Sequence, residues 1–245
     1  MEISLVAEPV LNFLGFELTN SLITSLIISV GLIIFCLSFS GKKLNLVPNG
    51  RSLQNIVETI VETLLGLFQS AAGDKTRIFF PLAATFFIYI ILGNWVGLLP
   101  GFGSIGINKI IDGKTVLVPL FRGATADINT TLALALISVG TIQFYGLKNL
   151  GISYLKKFFN IGNPINSFVG FLELLSEFSK IISFAFRLFG NIFAGEVLLS
   201  VMAFLLPFIL PLPFLGLELF VGLIQAIVFV MLTLVFLKVA TESHH

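Results

Sequence analysis

Between residues 165 and 237 the sequence is almost wholly apolar, yet it contains six charged side chains. A charge at the centre of a bilayer costs about 3 kcal/mol on insertion scales, so six of them in one region indicate a function. Carboxyl groups exchange protons, whereas an arginine side chain keeps its charge at every accessible pH. The six residues therefore include both a fixed positive charge and groups that can carry protons. They are Glu173, Glu177, Lys180, Arg187, Glu196 and Glu218.

Regular spacing places the first of these residues in one polar stripe. Glu173, Lys180 and Arg187 follow each other at steps of seven, and seven residues of about 100° each return to within roughly 20° of the start. Glu177 and Lys180 can also compensate each other at a spacing of three, so an ordinary structural pair is the alternative interpretation there. The polar stripe comprises Glu173, Glu177, Lys180, Arg187 and Asn191, and Ser183 lies beside it.

Arg187 has no acidic residue within four positions on either side, so we expect it to face water or a carboxylate supplied from elsewhere. Glu196 lies nine residues further on, which is about 180° around a helix and ~13.5 Å along it, so a simple pair with Arg187 is not expected. Glu196 and Glu218 are candidate proton-relay groups, and Gln225 follows Glu218 at a step of seven. The alternative for each glutamate is an interfacial position near a proline turn.

Composition excludes a soluble protein. Only 11% of the 245 residues are charged, mean hydropathy is +1.04, and a soluble domain carries about 25% charge. The net charge of +1 gives no indication of a nucleic-acid partner. The sequence has one cysteine, which excludes an intramolecular disulfide and a cysteine metal cluster. Its histidines are at positions 244 and 245, which excludes a histidine-based catalytic or zinc site. We predict no metal, no cofactor and no catalytic residue.

The apolar runs predict an all-α, polytopic integral membrane protein with one membrane domain over residues 1–245. A charge-free run of about 20 residues is long enough to span a bilayer. Segment 51–72 instead repeats apolar residues at three- and four-residue steps between charges, which is typical of an amphipathic helix. Segment 100–127 is interpreted as a glycine-rich loop. Upright spans are predicted at 20–40, 78–99 and 128–147.

The C-terminal part predicts a long helical hairpin. Residues 165–206 form a proline-free helical pattern that would be roughly 60 Å long, twice the hydrocarbon thickness of about 30 Å. The helix must therefore break near Gly190 or lie strongly tilted, close to the membrane plane. Prolines at 207, 211 and 213 predict a turn, and residues 214–237 form the return arm.

Basic residues predict the orientation. Loops 41–77 and 148–163 are basic and the first nineteen residues contain no lysine or arginine. Basic loops stay inside, so we expect the N-terminus outside and the C-terminus in the cytoplasm. The N-terminal segment also lacks the basic region of a signal peptide and has no transit peptide. This favours a bacterial inner membrane, with an organelle-encoded chain as the alternative.

Four motifs resemble subunit a of the F-type ATP synthase. The most specific is SFAFRLFGNIFAGE at 183–196, with the family's arginine, Leu-Phe-Gly-Asn and Ala-Gly in order. The return-arm sequence LELFVGLIQAIVF at 217–229 is similar to the family's last helix. NWVGLLPG at 94–101 and TADINTTLAL at 125–134 match upstream landmarks. The resemblance extends from about residue 8 to the end of the chain.

The resemblance implies a non-catalytic stator subunit that packs in lipid against a rotating ring of c-subunits, beside peripheral stalk subunit b. Protons would use two aqueous half-channels, and the arginine would attract the ring carboxylates and separate the channels. Many members have one histidine at the relay pair, whereas both positions here are glutamate, so their division of labour stays open. By resemblance, proton translocation is assigned to Arg187, Asn191, Glu196, Glu218 and Gln225, and the exit channel to Glu173, Glu177, Lys180 and Ser183.

A self-contained secondary transporter or ion channel is the alternative function. Such a protein would transport its ion as a purified chain, without a ring of partner subunits. Many transporters carry internal repeats, and the sequence shows none. A glycine-rich phosphate-binding loop is also absent from the sequence, so no nucleotide site is expected.

Overall fold

The computed structural model describes residues 8–13, 16–41, 52–99, 101–102, 105–111, 114–156, 158, 164–207 and 209–242. Its helices are α1 (Asn20–Ser40), α2 (Leu53–Ala72), α3 (Thr76–Val96), α4 (Ile128–Leu150), α5 (Ile152–Lys156), α6 (Pro164–Leu205) and α7 (Pro211–Thr241). Arg51, the predicted first residue of the amphipathic helix, lies outside the described residues, as does much of the two basic loops.

Within this described part of the chain, five helical segments are long and apolar enough to cross a membrane. They cover residues 20–40, 53–96, 128–150, 165–205 and 211–241. The predicted all-helical membrane class is therefore confirmed. α2 and α3 are separated by a short 3₁₀ turn, Gly73–Lys75, whose glycine has a φ of 59°. Such a φ is adopted easily by glycine and ends α2 where the sequence breaks its apolar pattern.

The long C-terminal helix is continuous. α6 runs unbroken for 42 residues, so it does not break near Gly190. α7 begins at Pro211, three residues before the predicted start of the return arm. Pro211 and Pro213 lie in its first turn, where a backbone N–H has no partner within the helix and proline is tolerated.

Two short antiparallel hairpins were not predicted. β1 (Pro9–Phe13) pairs with β2 (Phe16–Thr19), and β3 (Gly106–Ile111) pairs with β4 (Lys114–Pro119). The second hairpin lies inside the segment interpreted as a glycine-rich loop. Its sequence has isoleucines before an Asp-Gly dipeptide and threonine and valines after it, which is a hairpin signal that the mixed charge of the segment obscured.

The described residues divide into two compact units. The first unit comprises the described parts of Met1–Gly41, Ile88–Thr131 and Phe186–Ala226, and the second those of Lys42–Phe87, Leu132–Ala185 and Ile227–His245. In the first unit, the Ser21 hydroxyl donates to the buried Asp127 carboxylate at 2.5 Å. The same carboxylate accepts the backbone N–H of Asn129 at 3.0 Å, which stabilises the start of α4.

Aromatic contacts and hydrogen bonds hold the second unit together. The ring of Phe229 lies 5.6 Å from that of Phe86 and 5.1 Å from that of Phe184. Ser138 and Thr233 share a buried hydroxyl hydrogen bond of 2.8 Å between α4 and α7. Such aromatic pairs add stability beyond the apolar area they bury.

Candidate functional site

The carboxyl group of Glu218 lies directly against the backbone of Gly195 in the first unit. A Cβ atom at position 195 would overlap this carboxyl group, so only glycine leaves room for it. Glu218 is only 6% exposed. Because Gly195 immediately precedes Glu196, the contact brings the two glutamates close enough to interact electrostatically. The structure thus brings together the two residues that the sequence assigned to the proton relay.

Arg122 binds the other glutamate of this cluster. Its Nε lies 3.4 Å from Oε2 of Glu196, and its guanidinium carbon lies 5.8 Å from the centre of the Phe193 ring. The second carboxylate oxygen of Glu196 is close to Gly123, whose backbone N–H also binds the carboxylate. The side chain of Arg122 is 12% exposed and that of Glu196 is 26% exposed, so the cation is the more buried partner.

Close backbone contacts fix the loop that carries Arg122. A Cβ atom on Gly97, directly after the end of α3, would lie 2.9 Å from the Cα of Gly123. A Cβ atom on Gly93, inside α3, would lie 3.2 Å from Thr125. Side chains at these two positions would push the loop away. The small residues are therefore what allow the loop to approach the helix and hold its arginine over Glu196.

Hydrogen bonds from α3 also fix the first half of α7. The Thr125 hydroxyl donates to Oδ1 of Asn94 at 2.6 Å, and Nδ2 of Asn94 donates to the carbonyl of Gly222 at 2.8 Å. The indole N–H of Trp95 donates to the carbonyl of Leu219 at 3.0 Å. The two hydrogen bonds of Asn94 are buried, and such bonds are costly to break because the remaining group loses its partner.

Glu218 has a carboxyl oxygen that is open to a further partner. Within the described residues, its Oε1 is buried and makes no hydrogen bond. A buried polar group in this condition is expected to bind water or a proton, because an unmet hydrogen bond costs roughly 1–3 kcal/mol. The oxygen is therefore suited to receive and pass on a proton.

Arg187 and Asn191 lie on exposed positions of α6 in the first unit. The neighbouring Phe186 is 56% exposed, so the arginine stands beside an exposed apolar side chain. Gln225 is half-buried on α7, seven residues after Glu218.

A second polar cluster occurs in the second unit. The Tyr154 hydroxyl donates to Oε1 of Gln143 at 2.8 Å, and Nε2 of Gln143 donates to Glu177 at 2.8 Å. Lys180 donates to the other oxygen of Glu177 at 2.7 Å and lies 4.5 Å above the Phe236 ring. The pair that the spacing of three allowed is therefore present, within a longer chain of hydrogen bonds.

The two remaining exit-channel candidates lie near this cluster in sequence. Glu173 is half-buried and Ser183 is exposed, both on α6 in the second unit.

Tyr154 is expected to ionise only in strong alkali. Burial raises its pKa to about 12, and the charge of Glu177 acts in the same direction. Because the folded pKa exceeds the unfolded value of about 10, the neutral phenol stabilises the fold below pH 10. That stabilisation is lost as the pH rises through about 12. The tyrosinate absorbance of the wild type minus that of Tyr154→Phe isolates the ionisation of Tyr154. In a pH titration this difference should appear near pH 12. Its appearance near pH 10 would contradict the burial of Tyr154.

The family model described as ATP synthase A chain matches residues 22–238. The chain belongs to this family. Curated relatives support the assignment along nearly the whole length. ATP synthase subunit a of Citrifermentans bemidjiense is 32% identical over 240 residues, which cover 97% of this chain and 95% of the relative. The protein of the same name from Gloeobacter violaceus is 36% identical over 217 residues, covering 88% and 81%.

Membership of the ATP synthase A chain family confirms the predicted class. The chain is a multi-pass, proton-translocating membrane subunit of an ATP synthase and has no catalytic centre of its own. Bacterial relatives such as that of Syntrophobacter fumaroxidans, 34% identical over 85% of this chain and 79% of the relative, are consistent with a bacterial membrane.

The sequence analysis missed most of the residues that hold the two clusters in place. Asn94 and Thr125 were noted only as landmarks, and Arg122, Gln143 and Tyr154 were not selected. A signal for Arg122 existed, since it directly precedes the small-residue run Gly-Ala-Thr-Ala, which favours close packing. Its partner is 74 residues away, however, and no local spacing rule connects them.

Proposed function

We propose that this chain provides two aqueous half-channels and the arginine that acts on the c-ring carboxylates, and so couples proton flow to ring rotation and ATP synthesis. One observation supports the proposal. The Glu218 carboxyl group of α7 lies against Gly195 of α6, the residue directly before Glu196, whereas Arg187 is nearby in sequence at an exposed position of α6. Proton-carrying groups and a fixed cation are thus provided on different sides of one helix.

Arg187 is the group that acts on the ring. An arginine on an apolar outer surface is stable in a membrane only beside water or an opposite charge. Each c-subunit of the proposed ring supplies a carboxylate that attracts the arginine when it is deprotonated. Because arginine does not lose its proton, it also separates the half-channels and prevents a direct leak. Asn191 and Gln225 are assigned beside it, as polar positions that match the family motif.

Glu196 and Glu218 form the relay of the inlet half-channel. The buried Oε1 of Glu218, which has no partner within the described residues, accepts the incoming proton. Two interacting carboxyl groups titrate as a pair, so the proton belongs to both and not to one residue. The exit half-channel is assigned to the polar positions of the second unit and their neighbours on α6, namely Glu173, Glu177, Lys180 and Ser183.

The membrane arrangement is part of the proposal. α6 contains 42 residues, which at 1.5 Å each is roughly twice the hydrocarbon thickness, so we infer that α6 and α7 lie strongly tilted. The N-terminus is placed outside and the C-terminus in the cytoplasm of a bacterial inner membrane, on the basis of the basic loops. The partners are the c-ring, peripheral stalk subunit b and lipid.

ATP-driven acidification of inverted membrane vesicles tests the relay. Glu218→Gln keeps the size of the buried side chain but cannot exchange a proton. We therefore expect the acidification rate to fall at least about tenfold, as when a proton-transfer group is lost. Glu62→Gln, at an exposed position of the amphipathic helix α2, is the matched control and should pump normally. Equal rates for the two variants, at equal amounts of assembled complex, would contradict the proposed relay.

Reconstitution of the purified chain distinguishes the alternative function. A self-contained transporter or channel would move protons into liposomes that contain this chain alone. The proposed stator should do so only as part of the assembled complex, because the proton must ride on the ring between the two half-channels.

A further inference from the structure

Arg122 is a largely covered cation that has no role in the proposed mechanism so far. It lies in the loop between β4 and α4, and its side chain is 12% exposed. A guanidinium group withdrawn from water is costly unless a carboxylate and further hydrogen bonds compensate it. The compensating carboxylate is that of Glu196, 3.4 Å away, which is one of the two proposed relay groups.

Both oxygens of Glu196 contact the loop. Oε2 faces Nε of Arg122. Oε1 lies so close to Gly123 that a Cβ atom added to this glycine would be 3.0 Å from it. The Phe193 ring lies one turn before Glu196 on α6 and stacks beneath the guanidinium group at 5.8 Å. A glutamate side chain is flexible in isolation, so this set of contacts restricts its carboxylate to one place.

That place is next to the second relay group. The Glu218 carboxyl group packs against the backbone of Gly195, which directly precedes Glu196 in α6. The loop is fixed in turn to α3 by the glycine contacts at positions 93 and 97. Loop, α3, α6 and the start of α7 therefore form one frame that sets the separation of the two carboxyl groups. Proton transfer between groups depends steeply on such a separation.

We propose that Arg122 is a positioning residue of the proton pathway, which holds the Glu196 carboxylate beside Glu218 through a direct ion pair. The inference rests on the proposed function, in which these two glutamates relay the proton. It assigns to the loop after β4 a role in proton uptake as well as in packing.

A double-mutant cycle in ATP-driven acidification tests the role of Arg122. The set comprises Arg122→Gln, Glu196→Gln, the double variant and Arg122→Lys, each in the complete ATP synthase at matched assembly. We expect Arg122→Gln to lower the rate about tenfold, as for a lost charge-assisted hydrogen bond. Arg122→Lys should recover it to within about threefold, because the positive charge is retained. When Glu196 is already glutamine, removing Arg122 should change the rate less than about twofold.

A pumping rate of Arg122→Gln equal to that of the wild type would overturn the proposal. So would an equal fall in the presence and absence of Glu196, since that shows a general structural role. If Arg122→Gln does not assemble, Gly123→Ala replaces it in the cycle. Its methyl group would press on Oε1 of Glu196 while the arginine stays, and the same dependence on Glu196 is expected.

Failure of this inference is distinguishable from failure of the proposed function. Arg77→Gln, at an exposed position of α3 in the second unit, is the control for loss of an arginine and should pump normally. If Glu218→Gln is inactive but Arg122→Gln pumps normally, the relay stands and only the positioning role is wrong. If Glu218→Gln also pumps normally, the proposed relay itself is wrong.

Discussion

Membranes whose ATP synthase carries Arg187→Ala are expected to show no ATP-driven acidification, although the complex still assembles. Arg187 is exposed, so its truncation leaves no cavity in a packed core. The loss is instead electrostatic, because the ring carboxylates have no fixed cation to meet and nothing separates the two half-channels. Removing one partner of a close charge pair across a desolvated contact costs roughly 2–5 kcal/mol, which corresponds to at least about thirtyfold in rate.

Arg77→Ala is the matched control for this experiment. It also removes an exposed arginine, but from the start of α3 and outside the proposed pathway, and its pumping rate should equal that of the wild type. Arg187→Lys separates charge from shape, because lysine keeps a positive charge but can lose its proton in a desolvated site. Pumping by Arg187→Ala at more than about a tenth of the wild-type rate would be incompatible with the assigned role.

Gly195→Ala is expected to reduce pumping nearly as strongly, although it adds a single methyl group. The added Cβ atom would occupy the position of the Glu218 carboxyl group, which must move out of the relay. Small displacements of reacting groups can lower a rate about a hundredfold. We therefore expect a fall of about tenfold or more in ATP-driven acidification.

Gly216→Ala provides the control for the added methyl group. Position 216 lies on α7, two residues before Glu218, and a Cβ atom there meets nothing within 4 Å. Its pumping rate should stay within about twofold of the wild type, since substitutions in open positions have small effects. If the two alanine variants behave alike, the close contact between Gly195 and Glu218 is not important for transport.

Sequence reasoning located the helices well because membrane spans are a one-dimensional signal. The charge-free run at 20–40 coincides with α1, and the proline-free run at 165–206 is α6 almost residue for residue. These inferences need only helix geometry and the cost of charge in lipid.

The parts that sequence reasoning missed depend on contacts between distant segments. Nothing local indicates that Arg122 pairs with a residue 74 positions away, or that Gln143 joins Tyr154 to Glu177. The room for the Glu218 carboxyl group is visible only as the missing side chain of Gly195 on another helix. A glycine in a helix is ambiguous in sequence, because it marks either a flexible point or a close approach.

We propose that protons reach the ring through the Glu196–Glu218 relay. The proton conductance of membrane vesicles stripped of the catalytic sector, measured under an imposed membrane potential, tests this relay. Wild-type and Glu62→Gln membranes should conduct protons alike, and Glu218→Gln should conduct at least about tenfold more slowly, as expected when a proton-transfer group is lost. Conductance of Glu218→Gln equal to that of the wild type would show that the proton travels by another route and would contradict the account.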